Sequence, residues 1–169
     1  KKVYRPSSDE VATLSFYKNN ISHLFILFSL ICESLKFIKK APKAEIIRLI
    51  EMIYPIFAKD FHLKTETISQ SAIENTINTL IEKGILNEEQ ETCIKAPEED
   101  SFSYPNFMAL SNLCEPSLKR FYIVMNAMWT SEAISKEDLK SKCKMLAEDL
   151  EQIEGWPYPE FSDQAKFDN

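Results

Sequence analysis

Glycine and histidine are both scarce in this sequence. Its 169 residues include two glycines, Gly84 and Gly155, and two histidines, His23 and His62. Tight hairpins need residues that accept a positive φ, so this shortage argues against a barrel or sandwich with many turns. The sequence therefore predicts a mainly α-helical fold with at most one small β-hairpin.

Common catalytic motifs are absent as well. The sequence contains no G-x-S-x-G, no P-loop and no H-E-x-x-H. His23 lies in an apolar segment, where we expect a hydrogen-bonded core histidine, and His62 lies among charged residues that are typical of a solvated surface. The residues predict no catalytic site, no cofactor and no metal ion.

The cysteines also form no recognisable ligand pattern. None of Cys32, Cys93, Cys114 and Cys143 belongs to a C-x-x-C pair. Zinc sites and disulfide frameworks usually show such spacings. We predict buried free thiols.

Charge and hydropathy restrict the partners. The net charge is −6, which opposes nonspecific binding to nucleic acid. The most apolar stretch, residues 21–32, is shorter than the roughly 20 residues that span a bilayer, and it predicts a buried central helix.

One basic group stands out in this acidic chain. Lys36, Lys39, Lys40 and Lys43 lie close together in sequence, followed by Arg48. Two interpretations remain open. The lysines face anionic lipid headgroups, at about 1 kcal/mol for each cation, or they simply neutralise the end of a helix and are solvated.

Helix signals dominate the first half. We predict a long first helix over about residues 9–39, begun by a capping box at Ser7 and Glu10. A second helix follows Pro42 and kinks or ends near Pro55. A third begins at a capping box of Thr67 with Gln70 and carries an apolar face. That face is formed by Ile73, Ile77, Leu80 and Ile81, and Gly84 closes the helix.

A short hairpin is predicted next. Ile85 and Leu86 precede an acidic turn at 87–91, and residues 92–94 form the returning strand. Helix, helix and hairpin is the order of a winged-helix module. In a DNA-binding winged helix, the second helix of the module enters the major groove, and the hairpin is called the wing. Here that helix, the third of the chain, carries Glu74 and Glu82, and the wing is acidic, which opposes contact with phosphates. A structural or protein-contact role is therefore predicted.

The remaining chain predicts a second helical part. Residues 97–103 read as a linker between a subdomain at 1–96 and another at 104–169. A helix over about 117–129 and one begun by a capping box of Ser135 and Asp138 are expected. The helix that begins at Ser135 has a packing seam, formed by Leu139, Cys143, Leu146, Leu150 and Ile153. Gly155 ends it, and the aromatic tail 156–169 is expected to dock against the body or to continue into a further segment.

Four segments resemble one family in the correct order. Residues 16–25, F-Y-K-N-N-I-S-H-L-F, resemble the Y-[RK]-N-N-x-x-H-x-F stretch of membrane glycerol-3-phosphate acyltransferases. Gly84-Ile85-Leu86 resembles the family's E-x-G-[LI]-L. P-S-L-K-R-F-Y-I at 116–123 resembles P-T-L-E-R-Y-Y-I, and residues 143–169 are similar to its C-x-x-L-A … P-E-F-F-D-K … F-x-N ending.

The resemblance implies the C-terminal, non-catalytic domain of such an enzyme. The family transfers an acyl group from acyl-CoA or acyl carrier protein to the sn-1 hydroxyl of glycerol 3-phosphate, at the cytoplasmic side of the inner membrane. This is the first step of phospholipid biosynthesis. Its catalytic H-x-x-x-x-D motif is absent here, because Phe28 and Thr67 stand five positions after the two histidines.

The resemblance therefore carries over signature residues only. Asn19, Asn20, His23, Arg120 and Tyr122 match the family's segments, and a structural role is implied for them. The implied partners are the catalytic domain of the same parent chain and an anionic membrane surface, with no nucleic acid. Enzymes acting on dihydroxyacetone phosphate form a sister family, and a stand-alone winged-helix interaction module is the alternative.

Overall fold

The structure is a computed structural model that describes residues 8–61, 63–90, 92–129 and 134–154. These residues form six helices and three strands, so the predicted mainly α fold is confirmed. The elements are α1 Ser8–Ile38, β1 Lys40–Pro42, α2 Lys43–Asp60, α3 Gln70–Glu82, β2 Asn87–Glu89, β3 Cys93–Lys95, α4 Tyr104–Ser111, α5 Glu115–Trp129 and α6 Lys136–Glu154.

The chain divides into two compact units, residues 1–115 and 116–169. Segment 97–103 leads into α4, which packs on α1 within the first unit. The predicted linker at 97–103 and the subdomains on either side of it stay predictions. Ser7, His62, Gly155 and the tail lie outside the described residues, as do the predictions made for them.

Helix α1 passes through the core of the first unit. Leu30, Ile31 and Leu35 are fully buried, as expected for the apolar segment. The helix ends at Ile38, and the next residue, Lys39, has a φ of 67° in the left-handed region. That conformation costs a non-glycine residue roughly 1 kcal/mol or more. Two backbone hydrogen bonds stabilise this conformation: the Lys39 N–H donates to Leu35 O at 2.8 Å, and Lys39 O accepts the Ala96 N–H at 2.8 Å. They direct the chain into β1.

Helix α2 packs an apolar stripe against α1 and α3. Ile46, Ile50 and Phe57 of this stripe are buried. The helix continues past Pro55 to Asp60, which excludes one of the two predicted alternatives, an end near Pro55. The other alternative, a kink, stays a prediction. Proline in a helix interior costs about 3 kcal/mol, and burial of Phe57 and Ala58 beyond it holds the last turn in place.

Helix α3 begins two residues later than predicted. Its N-cap is Ser69, not Thr67, and the Ser69 Oγ accepts the Ala72 N–H at 3.3 Å. Ile73, Ile77 and Leu80 of the predicted face are buried, Ile81 is half-buried, and Thr76 is buried beside them. Gly84 closes the helix as predicted, with a φ of 66° and its N–H bonded to Ile81 O at 2.9 Å.

The small sheet is antiparallel, with strand order β1-β3-β2. Its central strand places Ile94 in the core, opposite Ala41 of β1 and Glu88 of β2. The predicted hairpin exists. Asn87, Glu88 and Glu89, which were expected in its turn, form the strand β2 instead. The turn follows at Gln90, which has a φ of 56°. Strand β1 was not predicted, because three residues that include a proline are too few to show alternation. With β1, the order resembles a winged helix more closely.

The second unit pairs α5 with α6. A buried cluster between them consists of Ile123, Ala127, Cys143 and Ala147, with Val124, Leu139, Leu146 and Leu150 packed against it. The predicted α6 seam is thus confirmed over its described side chains. The predicted capping box is also present, since the Asp138 N–H bonds Ser135 Oγ at 3.1 Å and the Ser135 hydroxyl bonds Asp138 Oδ2 at 2.8 Å.

Candidate functional site

The predicted basic group lies where α1 ends and α2 begins. Lys36 is in the last turn of α1, and Lys43 is the first residue of α2. Lys39 and Lys40 lie between them, in the bend and at the start of β1. The fold therefore gathers these lysines along one edge of the small sheet.

The lysines at this edge meet carboxylates of the wing. The Lys40 Nζ pairs with Glu89, and the Lys43 Nζ pairs with Glu88. The hydrogen bond from Lys40 holds the pKa of the exposed Glu89 below its usual range. Because each ammonium already has a carboxylate partner, the group offers an external anion less net charge than the sequence suggests.

Lys36 belongs to a different set of contacts. Its Nζ lies 3.4 Å from Glu33 Oε2 and donates to Asn112 Oδ1 at 3.2 Å. Glu33 is 4% exposed, and among the described residues no well-directed hydrogen bond reaches its Oε2. Burial raises the pKa of Glu33 more than the Lys36 ammonium lowers it.

A buried hydroxyl fastens α4 to α1 beside this carboxylate. The Ser29 Oγ–H donates to Ser111 O at 3.3 Å, and Ser29 Oγ accepts the Cys114 N–H at 3.0 Å. These bonds satisfy backbone groups at the end of α4, which would otherwise be buried without partners. The arrangement is a structural junction.

Two shallow grooves border these elements. One, of about 480 Å³, is lined by Lys36, Lys39, Lys95, Ala96, Pro97, Glu98, Glu99, Asp100, Tyr104 and Phe107. The other, of about 520 Å³, lies between α2 and α3. In the first groove Lys95 pairs with Glu98, which lowers the pKa of Glu98 and raises that of Lys95. The mixed charges of this lining select neither an anion nor a cation.

The cysteines are free thiols, and the predicted burial is confirmed for three of the four. Cys32, Cys114 and Cys143 are buried, whereas Cys93 is half-buried. Burial raises the pKa of Cys32 and of Cys114 to about 12. Within the described ranges, no group of three histidine, cysteine or acidic residues is placed to hold a metal ion.

The signature residues are distributed over both units. Asn19, Asn20 and His23 lie on α1, the first two in a part of it whose side chains are outside the described set. His23 is exposed, so the predicted core histidine is wrong; from His23 onwards, where the side chains of α1 are described, the first buried one is Ile26. Their structural role stays a prediction.

The other two signature residues lie on α5. The Arg120 Nη2 donates to Ser117 Oγ at 3.0 Å, one turn earlier in the helix. Tyr122 is exposed on the same helix. The structural role of this pair also stays a prediction.

Sequence reasoning missed Glu33 and its neighbours. A glutamate inside an apolar segment, with a lysine three residues later, was the available signal, but its burial depends on α4, which is distant in sequence.

None of the helices in the described part of the chain is both long and apolar enough to span a membrane. The described side chains thus contain no acid and base arranged around a shared substrate position.

Comparison with known proteins gives one consistent result. The chain matches the family model for the glycerol-3-phosphate acyltransferase C-terminal region over residues 1–169. Curated relatives named glycerol-3-phosphate acyltransferase include those of Shewanella baltica (25% identity over 95% of this chain and 19% of the relative), Alteromonas mediterranea (26%, 96% and 20%) and Pseudomonas aeruginosa (26%, 90% and 19%). The chain spans about a fifth of the length of these relatives. No solved structure gives a match.

Proposed function

This chain belongs to the family of glycerol-3-phosphate acyltransferase C-terminal regions, and from that premise we propose that it is a non-catalytic accessory domain of such an enzyme. The enzyme transfers an acyl group from acyl-CoA or acyl carrier protein to glycerol 3-phosphate and forms lysophosphatidate for phospholipid biosynthesis. The observation that carries the proposal is the family match over the whole chain.

The division of labour follows from the residues present. A general base must lie within hydrogen-bond reach of the hydroxyl that it deprotonates. The H-x-x-x-x-D motif expected for that base is absent from the sequence, and His23 is exposed at the surface of α1. In the proposed enzyme, the base and the phosphate-binding groups belong to the catalytic domain of the parent chain, and this region packs on that domain.

Truncation of the full-length enzyme tests this proposal. Removing the region should lower acyl transfer to glycerol 3-phosphate at least tenfold, and co-expressing residues 1–169 as a separate chain should restore part of it. As a control, the full-length enzyme with the histidine of H-x-x-x-x-D replaced by alanine should stay inactive in the presence of the separate chain. Full activity of the truncated enzyme would refute an accessory role. The same assay with dihydroxyacetone phosphate distinguishes the sister activity.

An anionic membrane surface, at the cytoplasmic side of the inner membrane, is the second proposed partner. Lys39 is exposed beside Lys36, Lys40 and Lys43. Replacing all four lysines by glutamine should weaken binding to anionic vesicles. Because Lys40 and Lys43 pair with glutamates, we expect a smaller loss than four free cations would give. Unchanged partitioning would remove the lipid contact.

A protein-interaction module is the alternative function. The strand order β1-β3-β2 behind α2 and α3 favours it, since this is a compact winged-helix-like unit. Glu74 and Glu82 on α3 and the glutamates of β2 are exposed, where a DNA-binding module needs cations. An upstream H-x-x-x-x-D domain in the same reading frame would decide against the stand-alone module.

A further inference from the structure

The last turns of α5 carry exposed apolar side chains on the side away from the core. Met125 and Trp129 each follow a core residue, Ile123 and Ala127, by two positions. At about 100° per residue they therefore point about 200° away from the core. Met128 lies beside them. We call the side chains of Met125, Met128 and Trp129 the outer face.

The side chains of this face are strongly exposed in the chain. Trp129 is 89% exposed, Met125 61% and Met128 50%. A single exposed apolar residue is ordinary, but a contiguous apolar patch marks a contact surface. Tryptophan dominates binding energy at many interfaces, and methionine adapts to irregular partners. The composition of the outer face is that of a protein contact.

The described core of the second unit is built largely from small side chains. Its fully buried positions include two alanines and a cysteine. Small side chains let α5 and α6 approach closely, but they bury little apolar area, and small units need additional burial to fold. Covering the outer face would supply that burial.

We propose that the outer face of α5 docks on the remainder of the longer acyltransferase chain, a surface with an apolar groove that accepts one indole and two thioether side chains. This inference rests on the proposed function. The chain covers 19% and 20% of two listed relatives, so most of the surface available to a tethered partner lies in that remainder. Tethering raises the effective concentration of the contact.

Photo-cross-linking in the full-length chain identifies the occupant. Met125→p-benzoylphenylalanine should, after irradiation, attach to peptides of the remainder. Met145→p-benzoylphenylalanine is the matched control, since Met145 is 62% exposed on the other helix of the same unit. The control should give at most a tenth of the cross-linked product. Peptide mass spectrometry reads the attachment site.

The other outcomes overturn the proposal. Attachment to residues 155–169 would make the tail the occupant, attachment to residues 1–115 would make it the first unit, and attachment between two full-length chains would make it a second copy. Equal products from both positions, or none, would show that the face is not a specific contact.

A binding measurement separates this proposal from the proposed function. Met125→Glu should weaken binding of the separate chain to the truncated enzyme by about ten- to a hundredfold, while Met145→Glu should leave it within about twofold. If the wild-type chain binds and both variants bind equally, the surface is wrong although the accessory role stands. If the wild-type chain neither binds nor restores activity, the proposed function itself fails.

Discussion

The two units of the chain bury very different side chains. In the first unit, the fully buried set includes Phe57, Phe107 and several leucines and isoleucines contributed by α1, α2, α3 and α4. In the second, the described buried cluster consists of Ile123, Ala127, Cys143 and Ala147 on two helices. The first unit therefore buries large side chains from four helices, whereas the described cluster of the second is built mainly from small ones, as expected if the second unit gains burial from the contact proposed above.

The largest predicted effect tests that contrast in the cores. Phe57→Ala should destabilise the first unit by about 3–5 kcal/mol, because a large cavity remains among packed neighbours. Ile123→Ala should cost the second unit about 2 kcal/mol, at the lower end for its type, because its partners are small and partly exposed. Hydrogen exchange resolved to α2 and α5 measures the two separately. Equal losses would remove the contrast.

The next effect compares one helix cap from each unit. Ser69→Ala and Ser135→Ala each remove a side-chain acceptor for a backbone N–H and should cost about 1 kcal/mol. Local exchange at the first turns of α3 and α6 reports the loss. Ser141→Ala, at an exposed interior position of α6, is the control and should not destabilise the helix. A cap effect in one unit only would show that its helix start is held by packing.

Glu33 should make the stability of the first unit depend on pH. Burial raises its pKa in the folded state above the unfolded value. Stability should therefore be highest below the unfolded pKa and should fall as the pH rises through the folded one. Glu33→Gln should flatten this dependence between about pH 4 and pH 8 in urea unfolding followed by circular dichroism. Glu82→Gln, at an exposed position, is the control and should leave the pH dependence unchanged. If the stability of Glu33→Gln falls with rising pH as much as that of the wild-type chain, Glu33 is not the cause.

The smallest effect concerns the wing. Lys43→Gln removes the ion pair between Lys43 and Glu88. The Lys43 side chain is 26% exposed and the Glu88 side chain 34%. Surface ion pairs contribute about 0–1 kcal/mol, and salt screens them. We expect a change below about 1 kcal/mol that vanishes in high salt. A loss above 2 kcal/mol in thermal unfolding would mean that the wing depends on this pair for its fold.

Local signals predicted the helices better than they predicted the sheet. The α3 face, the closing Gly84 and the Ser135 capping box depend on residues within a few positions of one another, and the structure confirms them. Strand β1 depends on pairing with β3, more than fifty residues later in the chain. The acidic β2 was taken for a turn because its stabilising partners, Lys40 and Lys43, are equally distant in sequence.

The site was harder to predict than the fold. The sequence shows that the four lysines are close together in the chain, but the pairing of Lys40 and Lys43 with Glu89 and Glu88 required the register of the sheet. To predict that Glu33 is buried, one must know that α4 packs on α1. To predict that His23 is exposed, one must know where α1 enters the core. The function followed from the resemblance of four segments, since no arrangement of titratable groups indicated it.

A thioester assay tests the central claim most directly. The purified chain, incubated with acyl-CoA or acyl carrier protein and glycerol 3-phosphate, should release free thiol no faster than a buffer control, while the full-length enzyme does so readily. Release that depends on both the chain and glycerol 3-phosphate would contradict the claim that its chemistry belongs to another domain.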